Sequence, residues 1–465
     1  METTESKSDD INSVDDDGIL AAPSSVTTVP TRKRGKLSTP NPMDAITIAA
    51  LTSSVQNMNS AGFFGLASLL STAAQDIQQN TVSIIPATDV VRQAAKKAVV
   101  EQPLWLHWSK QDMAPNFKCD STRLSITGAL RGYRMARASH GVSSSGCYYF
   151  ECIVLPGPSA TDILYSLPPN ARLGAGLREK LQAAVEREEA QASKPLISTN
   201  NVMDENSSKR RKVEEDMNPP VQVGGHVRIG WSMRTGDLQA PVGYDKWSYG
   251  IRDIDGSILH CSRRQENWGG EGFGVNDVVG CAICFDDSEQ CEDNVTGRKN
   301  CNHIRFFKNG DCMGQFVISK GKREGGEAFS DVERGTYYPA VSCYMGGSVR
   351  ANFGPYWIYP PKRSRLPPGL KNLKATSTIC PPPASPDEVV TNLAATVKNF
   401  RNVEHQQSLK EAIRTEAETQ SQLYAEFYSN HVEEIRQARI DRGLSIADLP
   451  QLNATSIGDE ATKMP

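Results

Sequence analysis

The chain has 465 residues, of which 38% are hydrophobic, and a formal net charge of -3. That length exceeds one ordinary domain, yet the low apolar content and negative mean hydropathy exclude a chain that is folded throughout. The charge balance excludes a polycation, so any nucleic-acid contact must come from local basic clusters.

Residues 1–100 are expected to be largely disordered. Asp9, Asp10, Asp15, Asp16 and Asp17 crowd the start, and Arg32, Lys33, Arg34 and Lys36 then form a compact basic cluster. No basic leader precedes an apolar run, so no secretory signal is expected. The most apolar early stretch, residues 45–74, is interrupted by Gln56, Asn57 and Asn59. It is too polar to span a bilayer, which takes about 20 mostly apolar residues, and no membrane contact is expected.

From Trp105 the character changes. Short runs such as LSITG, YYFECIVL, VRIGW, DVVGCAICF, IRFFKNG and SVRANFG alternate with glycine and asparagine. Closely spaced short strands of this kind predict an all-β sandwich or barrel over 101–361. Residues 157–221 break the rhythm and read as a flexible surface insertion. It holds a helix-like stretch, Leu177 to Ala190, and ends in the basic tetrad Lys209, Arg210, Arg211 and Lys212. Two basic clusters in a slightly acidic protein predict nuclear residence. Asn309-Gly310 fits a type I′ hairpin, because both residues tolerate positive φ.

Eleven cysteines without an export signal predict reduced thiols. Cys281 and Cys284 form a CxxC followed by Cys291, Cys301, His303 and Cys312. A zinc site wants two compact ligand pairs. Here the CxxC lies inside a run that reads as a buried strand, where cysteine serves as a small hydrophobe. No metal and no cofactor are expected.

Residues 362–384 read as a proline-rich linker and 385–443 as a helical partner-docking region. Ser385-Pro386-Asp387-Glu388 is a helix start: serine cap, proline at the first helical position, glutamate three residues after the cap. Val389, Leu393, Val397 and Phe400 recur at helical spacing, as do Leu423, Phe427 and Ile435 on a second stripe that Gly443 closes. Such stripes either pack on their own domain or, lying beyond a prolyl linker, seek a partner groove. Residues 444–465 are expected to be a disordered tail.

The segment His226–Asp253, HVRIGWSMRTGDLQAPVGYDKWSYGIRD, is the richest in chemistry. It holds no nucleophile in a catalytic setting, no phosphate loop and no paired metal ligands. Arg228 and Arg252 can fork onto carboxylates or phosphates, and Tyr244, Trp247 and Tyr249 supply rigid aromatic area. The segment therefore reads as a protein-binding surface, and no enzyme is expected. An acid–base group of Arg137, His140 and Glu151 is the competing catalytic reading.

GYRMARASHGV (132–142), RIGWS, GDLQAPVGYDKWSYG, FFKNG, YYPAVS and NFGP together resemble the SPRY domain of the absent-small-homeotic-discs-two family, whose members are core subunits of COMPASS/MLL histone methyltransferase complexes. The resemblance covers roughly Trp105 to Pro361, minus the insertion. It implies a SPRY-type antiparallel β-sandwich and a non-catalytic adaptor. In the family, one face of the sandwich binds an acidic, phosphorylatable segment of a WD-repeat retinoblastoma-binding-type partner. The pair then stimulates a SET-domain enzyme that methylates lysine four of histone three. Carried over, the contact residues are Tyr133, Arg228, Pro241, Tyr244 and Arg252. The family's basic residue two positions after Arg252 is replaced by Ile254, flanked by Asp253 and Asp255.

The family also implies a C-terminal helix that inserts into a small dimeric dumpy-type docking subunit, here assigned to Leu423, Phe427 and Ile435. Its larger members add a zinc-finger and winged-helix module that contacts DNA. No cysteine precedes Cys119, so that module is not expected. The basic clusters are the residues left for non-specific nucleosomal DNA contact. The alternative is a SPRY adaptor that presents substrates to a ubiquitin ligase, or another nuclear interaction scaffold. A RING, B-box or cullin-recruiting tail would mark the ligase adaptor, and none is recognised.

Overall fold

The computed structural model describes residues 88–451, apart from 116, 129–131, 167–174, 193–224, 286–301, 315, 320–321, 363–369, 371 and 399–402. In chain order the strands are β1 (Trp108–Met113), β2 (Lys118–Cys119), β3 (Ser125–Thr127), β4 (Arg134–Ala138), β5 (Gly146–Leu155), β6 (His226–Ser232), β7 (Ser248–Arg252), β8 (Ile258–His260) and β9 (Arg263–Gln265). They continue as β10 (Val278–Phe285), β11 (His303–Lys308), β12 (Asp311–Cys312), β13 (Phe316–Ser319), β14 (Lys322–Gly325), β15 (Phe329–Ser330), β16 (Tyr338–Tyr344), β17 (Ser348–Asn352) and β18 (Leu373–Ala375). The helices are α1 (Thr88–Glu101), α2 (Ala160–Ser166), α3 (Ala175–Ala192), α4 (Pro386–Asn392), α5 (Ala394–Lys398) and α6 (Val403–Ile440).

Two sheets make the sandwich. One runs β1-β4-β16-β6-β7-β8-β9; the other runs β12-β11-β10-β5-β17-β3-β2, with β15 beside β11 and β18 beside β5. The long pairings are antiparallel, as the alternating runs predict. The core between them holds Trp108, Phe150, Ile229, Trp231, Ile251, Ile283 and Val349. Alternation along β5 explains both of its faces. Phe150, Cys152 and Val154 enter this core, whereas Tyr149 joins a second cluster on the far side with Phe307 and Leu370. The second sheet is thus buried on both faces, so β10 is an unbroken apolar run. Cys281 packs in the inter-sheet core and Cys284 in the outer cluster. They face opposite sides of the sheet and cannot share a metal ion.

The expected hairpin is present: Asn309 (φ 49°) and Gly310 (φ 81°) link β11 to β12. Asn309 also accepts from Val278 N at 2.9 Å and donates to Asp277 at 2.8 Å. The serine cap is present too, with Ser385 Oγ accepting from Glu388 N at 3.3 Å.

Several expectations need correction. Residues 88–101 are not disordered but form α1, because Val91, Ala95, Ala98 and Val99 make a buried face against α6. Part of the insertion is ordered as α2 and α3, which share Ala160, Ile163, Leu181 and Ala184. The linker contributes β18, which pairs in parallel with Cys147–Tyr149 of β5. The tail is pinned at least to Leu449, which packs with Ile435, Val278 and Ile358. Buried Arg439 donates from Nε to Trp357 O at 2.8 Å and holds Asp448 through both Nη atoms. Finally, Cys147 and Cys284 are joined by a disulfide, against the expectation of reduced thiols. They lie 137 residues apart in sequence but directly opposite each other on β5 and β10. Spacing along the chain gives no hint of that pairing.

Candidate partner-binding face

Register on the first sheet builds the site. Met135, Ser342, Arg228 and Arg252 occupy one row across β4, β16, β6 and β7. Their neighbours Ala136, Val341, Ile229 and Ile251 point into the core, so this row faces outward. Tyr344 and His226 pair in the row at the strand ends, and Tyr133 stacks on Tyr344 at 4.9 Å.

These residues form a continuous cluster. The Arg228 guanidinium lies over the Tyr133 ring, 4.5 Å from its centroid, a favourable cation–π geometry. Tyr344 stacks in turn on His226 at 6.2 Å. His226 Nδ1 donates to Asp253 Oδ2 at 3.0 Å, and the same oxygen accepts from Val227 N at 3.1 Å. Burial pushes the Tyr133 hydroxyl above its ordinary range, with Asp253 adding to the effect. Burial likewise lowers the Arg228 guanidinium, partly offset by Tyr133. The Nε atoms of Arg228 and Arg252 are buried and have no hydrogen-bond partner among the described residues.

The 237–248 loop forms the roof. Its backbone is fixed from within: Asp245 Oδ1 accepts from Trp247 N at 2.9 Å, and Asp245 Oδ2 accepts from Asp237 N at 2.9 Å. Val242 N donates to Ser342 Oγ at 2.7 Å, and Arg228 Nη1 reaches Val242 O at 3.5 Å. Gly250 lets the loop lie flat, since a Cβ there would meet Val242 Cγ1 at 2.8 Å. Tyr244 N closes a turn on Pro241 O at 3.0 Å and leaves the Tyr244 side chain 54% exposed. Beyond Arg252, Ile254 is also exposed.

Tyr133, Arg228 and Arg252 are therefore brought together, with Pro241 and Tyr244 on the loop laid over the same face. Sequence reasoning missed Tyr344, His226, Asp253 and Ser342. Their roles depend on the strand order β4-β16-β6-β7, which local patterning does not reveal. The competing acid–base group does not assemble. Arg137 faces outward from the first sheet, held by Asp112 at 2.8 Å and by the Met233 and Gly236 carbonyls. Glu151 faces outward from the second sheet, beside Asn352, Ile358 and Tyr359. The core separates the two. His140 contacts Ser139 Oγ at 3.0 Å.

The stripe assigned to docking differs from expectation. Phe427 stacks on Trp105 at 3.8 Å and 3°, Ile435 is buried, and Leu423 and Phe427 are each half-buried. Val389, Leu393 and Val397 are buried as well. A 38-residue helix lying along the second sheet satisfies its apolar stripe within its own chain. Phe400 and the clusters Arg32–Lys36 and Lys209–Lys212 lie outside the described residues.

The SPRY domain profile matches residues 214–356. The chain is 24% identical over 278 residues to the Set1/Ash2 histone methyltransferase complex subunit ASH2 of Drosophila melanogaster, covering 54% of this chain and 36% of that protein. It is 29% identical over 188 residues to the Set1 complex component ash2 of Schizosaccharomyces pombe, covering 30% and 28%. It is 27% identical over 277 residues to the Set1/Ash2 histone methyltransferase complex subunit ash-2 of Caenorhabditis elegans, covering 54% and 36%. The chain thus spans about a third of the length of the relatives it matches. The sandwich and the profile match identify a SPRY domain, and in sequence the chain is similar to the ASH2-type subunits of Set1 complexes.

Proposed function

We propose that this protein is a non-catalytic, nuclear subunit of a COMPASS-type complex that methylates lysine four of histone three. Its SPRY face binds an acidic segment of a WD-repeat partner, and the pair stimulates a SET-domain methyltransferase. The observation that carries this reading is the Arg228–Arg252 pair. Like charges directly opposite each other destabilise a sheet, and these two sit in register on an outward face with both Nε atoms unpartnered. An acidic ligand relieves the repulsion by pairing with the outward guanidinium groups. Each charge-assisted contact contributes about 1–3 kcal/mol. Tyr133 and Tyr244 supply the aromatic area that anchors such a segment.

The test is recovery of partners on the tagged full chain. A WD-repeat protein and a SET-domain protein should co-purify with wild type. Arg228→Ala and Arg252→Ala should each lose the WD-repeat protein while keeping the wild-type circular dichroism spectrum. Raised salt should weaken wild-type capture, because part of the attraction is screened. Folded variants that capture normally at low salt would overturn the assignment.

A further inference from the structure

The β8–β9 hairpin carries chemistry that the arginine face does not use. His260 and Arg263 pair across it, and Cys261 and Ser262 make the turn with φ of 52° and 59°. Positive φ at both positions is the type I′ geometry usually given to Asn and Gly. Here it presents a thiol to solvent: among the described free cysteines, Cys261 is the only exposed one. Burial pushes the Cys119 thiol up and the Cys380 thiol up to about 11, which disfavours the nucleophilic thiolate at those two positions.

Cys261 also has a base held in place beside it. The His260 ring stacks on Tyr249 at 4.0 Å and 2°, its cross-strand neighbour on β7. His260 Nδ1 meets Ser248 O at 3.0 Å. A carbonyl only accepts, so Nδ1 carries the proton and Nε2 of the neutral ring is an acceptor. Cys261 Sγ donates to that Nε2 at 3.3 Å. A nucleophile, a base within reach and a third group that orients the base are the arrangement that activates a thiol. The hairpin also borders the 237–248 loop. Cys261 N donates to Asp245 O at 3.2 Å and Ser262 N to Gly243 O at 3.0 Å, and Ser262 Oγ donates to Tyr244 O at 2.7 Å.

We infer that Cys261 is a modification site, a thiol that exchanges with low-molecular-weight disulfides of the glutathione type, with His260 as its base. The Cys261 proton passes to His260 Nε2 and Sγ attacks one sulfur of the disulfide. The old S–S bond breaks as the new one forms, and the departing thiolate takes the proton back from His260. One thiol and one disulfide become one mixed disulfide and one thiol, so no further oxidant is needed. The glutathionyl adduct is bulky and carries net negative charge. It lies against Gly243–Asp245, where it crowds Tyr244 and repels an acidic segment. That consequence rests on the proposed function; the modification site does not.

The experiment exposes the full chain to glutathione disulfide at neutral pH and follows each cysteine by mass spectrometry, in the folded chain and in the chain unfolded by urea. A free thiol is only a few per cent thiolate at neutral pH, and nucleophilicity falls as thiolate content rises, so a positioned base offers a gain of roughly tenfold. Cys261 should therefore react about tenfold faster folded than unfolded, whereas Cys119 and Cys380 should react more slowly when folded. An exposed thiol without a base would react alike in both states. His260→Gln keeps a hydrogen-bonding side chain but no base, and should bring the Cys261 rate down to its unfolded value. Equal Cys261 rates in folded and unfolded wild type would overturn the inference, even where His260→Gln fails to fold. So would an unchanged Cys261 rate in folded His260→Gln. Modified wild type should capture the WD-repeat protein about tenfold less well, and Cys261→Ser treated alike should capture it fully. Equal capture by modified wild type would overturn the consequence for the partner face. Failure of untreated wild type to capture any WD-repeat protein would count against the proposed function alone, since the rates are read without a partner.

Discussion

Glu151 shows how a single buried residue ties the sandwich to what covers it. It is fully buried, yet accepts from Ile358 N at 2.8 Å, Tyr359 N at 3.0 Å and Asn352 Nδ2. Burial nevertheless dominates and raises its pKa from 4.5 to about 7, against the lowering effect of those donors. A carboxyl that titrates higher in the folded state binds its proton more tightly when folded. Its stabilising contribution is complete below pH 4.5 and is lost as pH rises through about 7. The loss is on the order of 3 kcal/mol. In Glu151→Gln the amide meets the Tyr359 N–H, so the variant should be less stable at acid pH, but it cannot ionise. The stability advantage of wild type over Glu151→Gln, measured by urea unfolding, should shrink by about that amount between pH 4.5 and 8. A constant difference across that range would show that Glu151 does not titrate there. At this scale the sequence offered Glu151 only as a catalytic candidate. Its solvation by the 352–359 backbone depends on a return of the chain some 200 residues later, which no local motif records.

Elements were legible where the signal was local. The Asn309-Gly310 turn, the Ser385 cap, the buried run of β10 and the Leu177–Ala190 helix all follow from short-range chemistry, and the structure holds each of them. Elements whose reason is a distant partner were not legible. The helix α1 makes sense only against α6, and β18 only against β5. The arginine face was legible as a set of residues but not as a surface, because Tyr344 reaches it through strand order. The stripe on α6 was read correctly as apolar, and of its two readings the structure shows packing within the chain. Its covered state sets the outcome of a simple test. Replacing Phe427 with Ala removes a ring stacked on Trp105 and partly packed against the main core. Full truncation of a core phenylalanine costs about 3–5 kcal/mol, and the partial exposure of Phe427 places it below that range, at roughly 2–3 kcal/mol. The melting temperature of the isolated chain should fall accordingly. An unchanged melting temperature would mean that α6 does not pack on the sandwich in solution and would return the stripe to an outside partner.

The described residues build a sandwich whose two outer faces differ. The first sheet presents Arg228 and Arg252 outward beneath the 237–248 loop. The second is covered by α6, with His431 on Asn352, Glu434 on Arg350 and Ile435 beside Val278. The inter-sheet core separates them, and two packed sheets stand about 10 Å apart. Mutations at that distance with no shared partner add, usually within about 0.5 kcal/mol. Neither Arg228 nor Phe427 shares a described partner with the other: the first meets Tyr133 and Val242 O, the second Trp105 and His431. The double variant Arg228→Ala/Phe427→Ala should therefore lose WD-repeat partner binding by the same factor as Arg228→Ala alone. Its melting temperature should fall as far below that of Arg228→Ala as Phe427→Ala falls below wild type. Both are read on the same preparations, one by titration and one by thermal unfolding. A coupling well beyond that margin in either cycle would mean that the faces communicate through the core. Helix docking on one side would then regulate partner capture on the other.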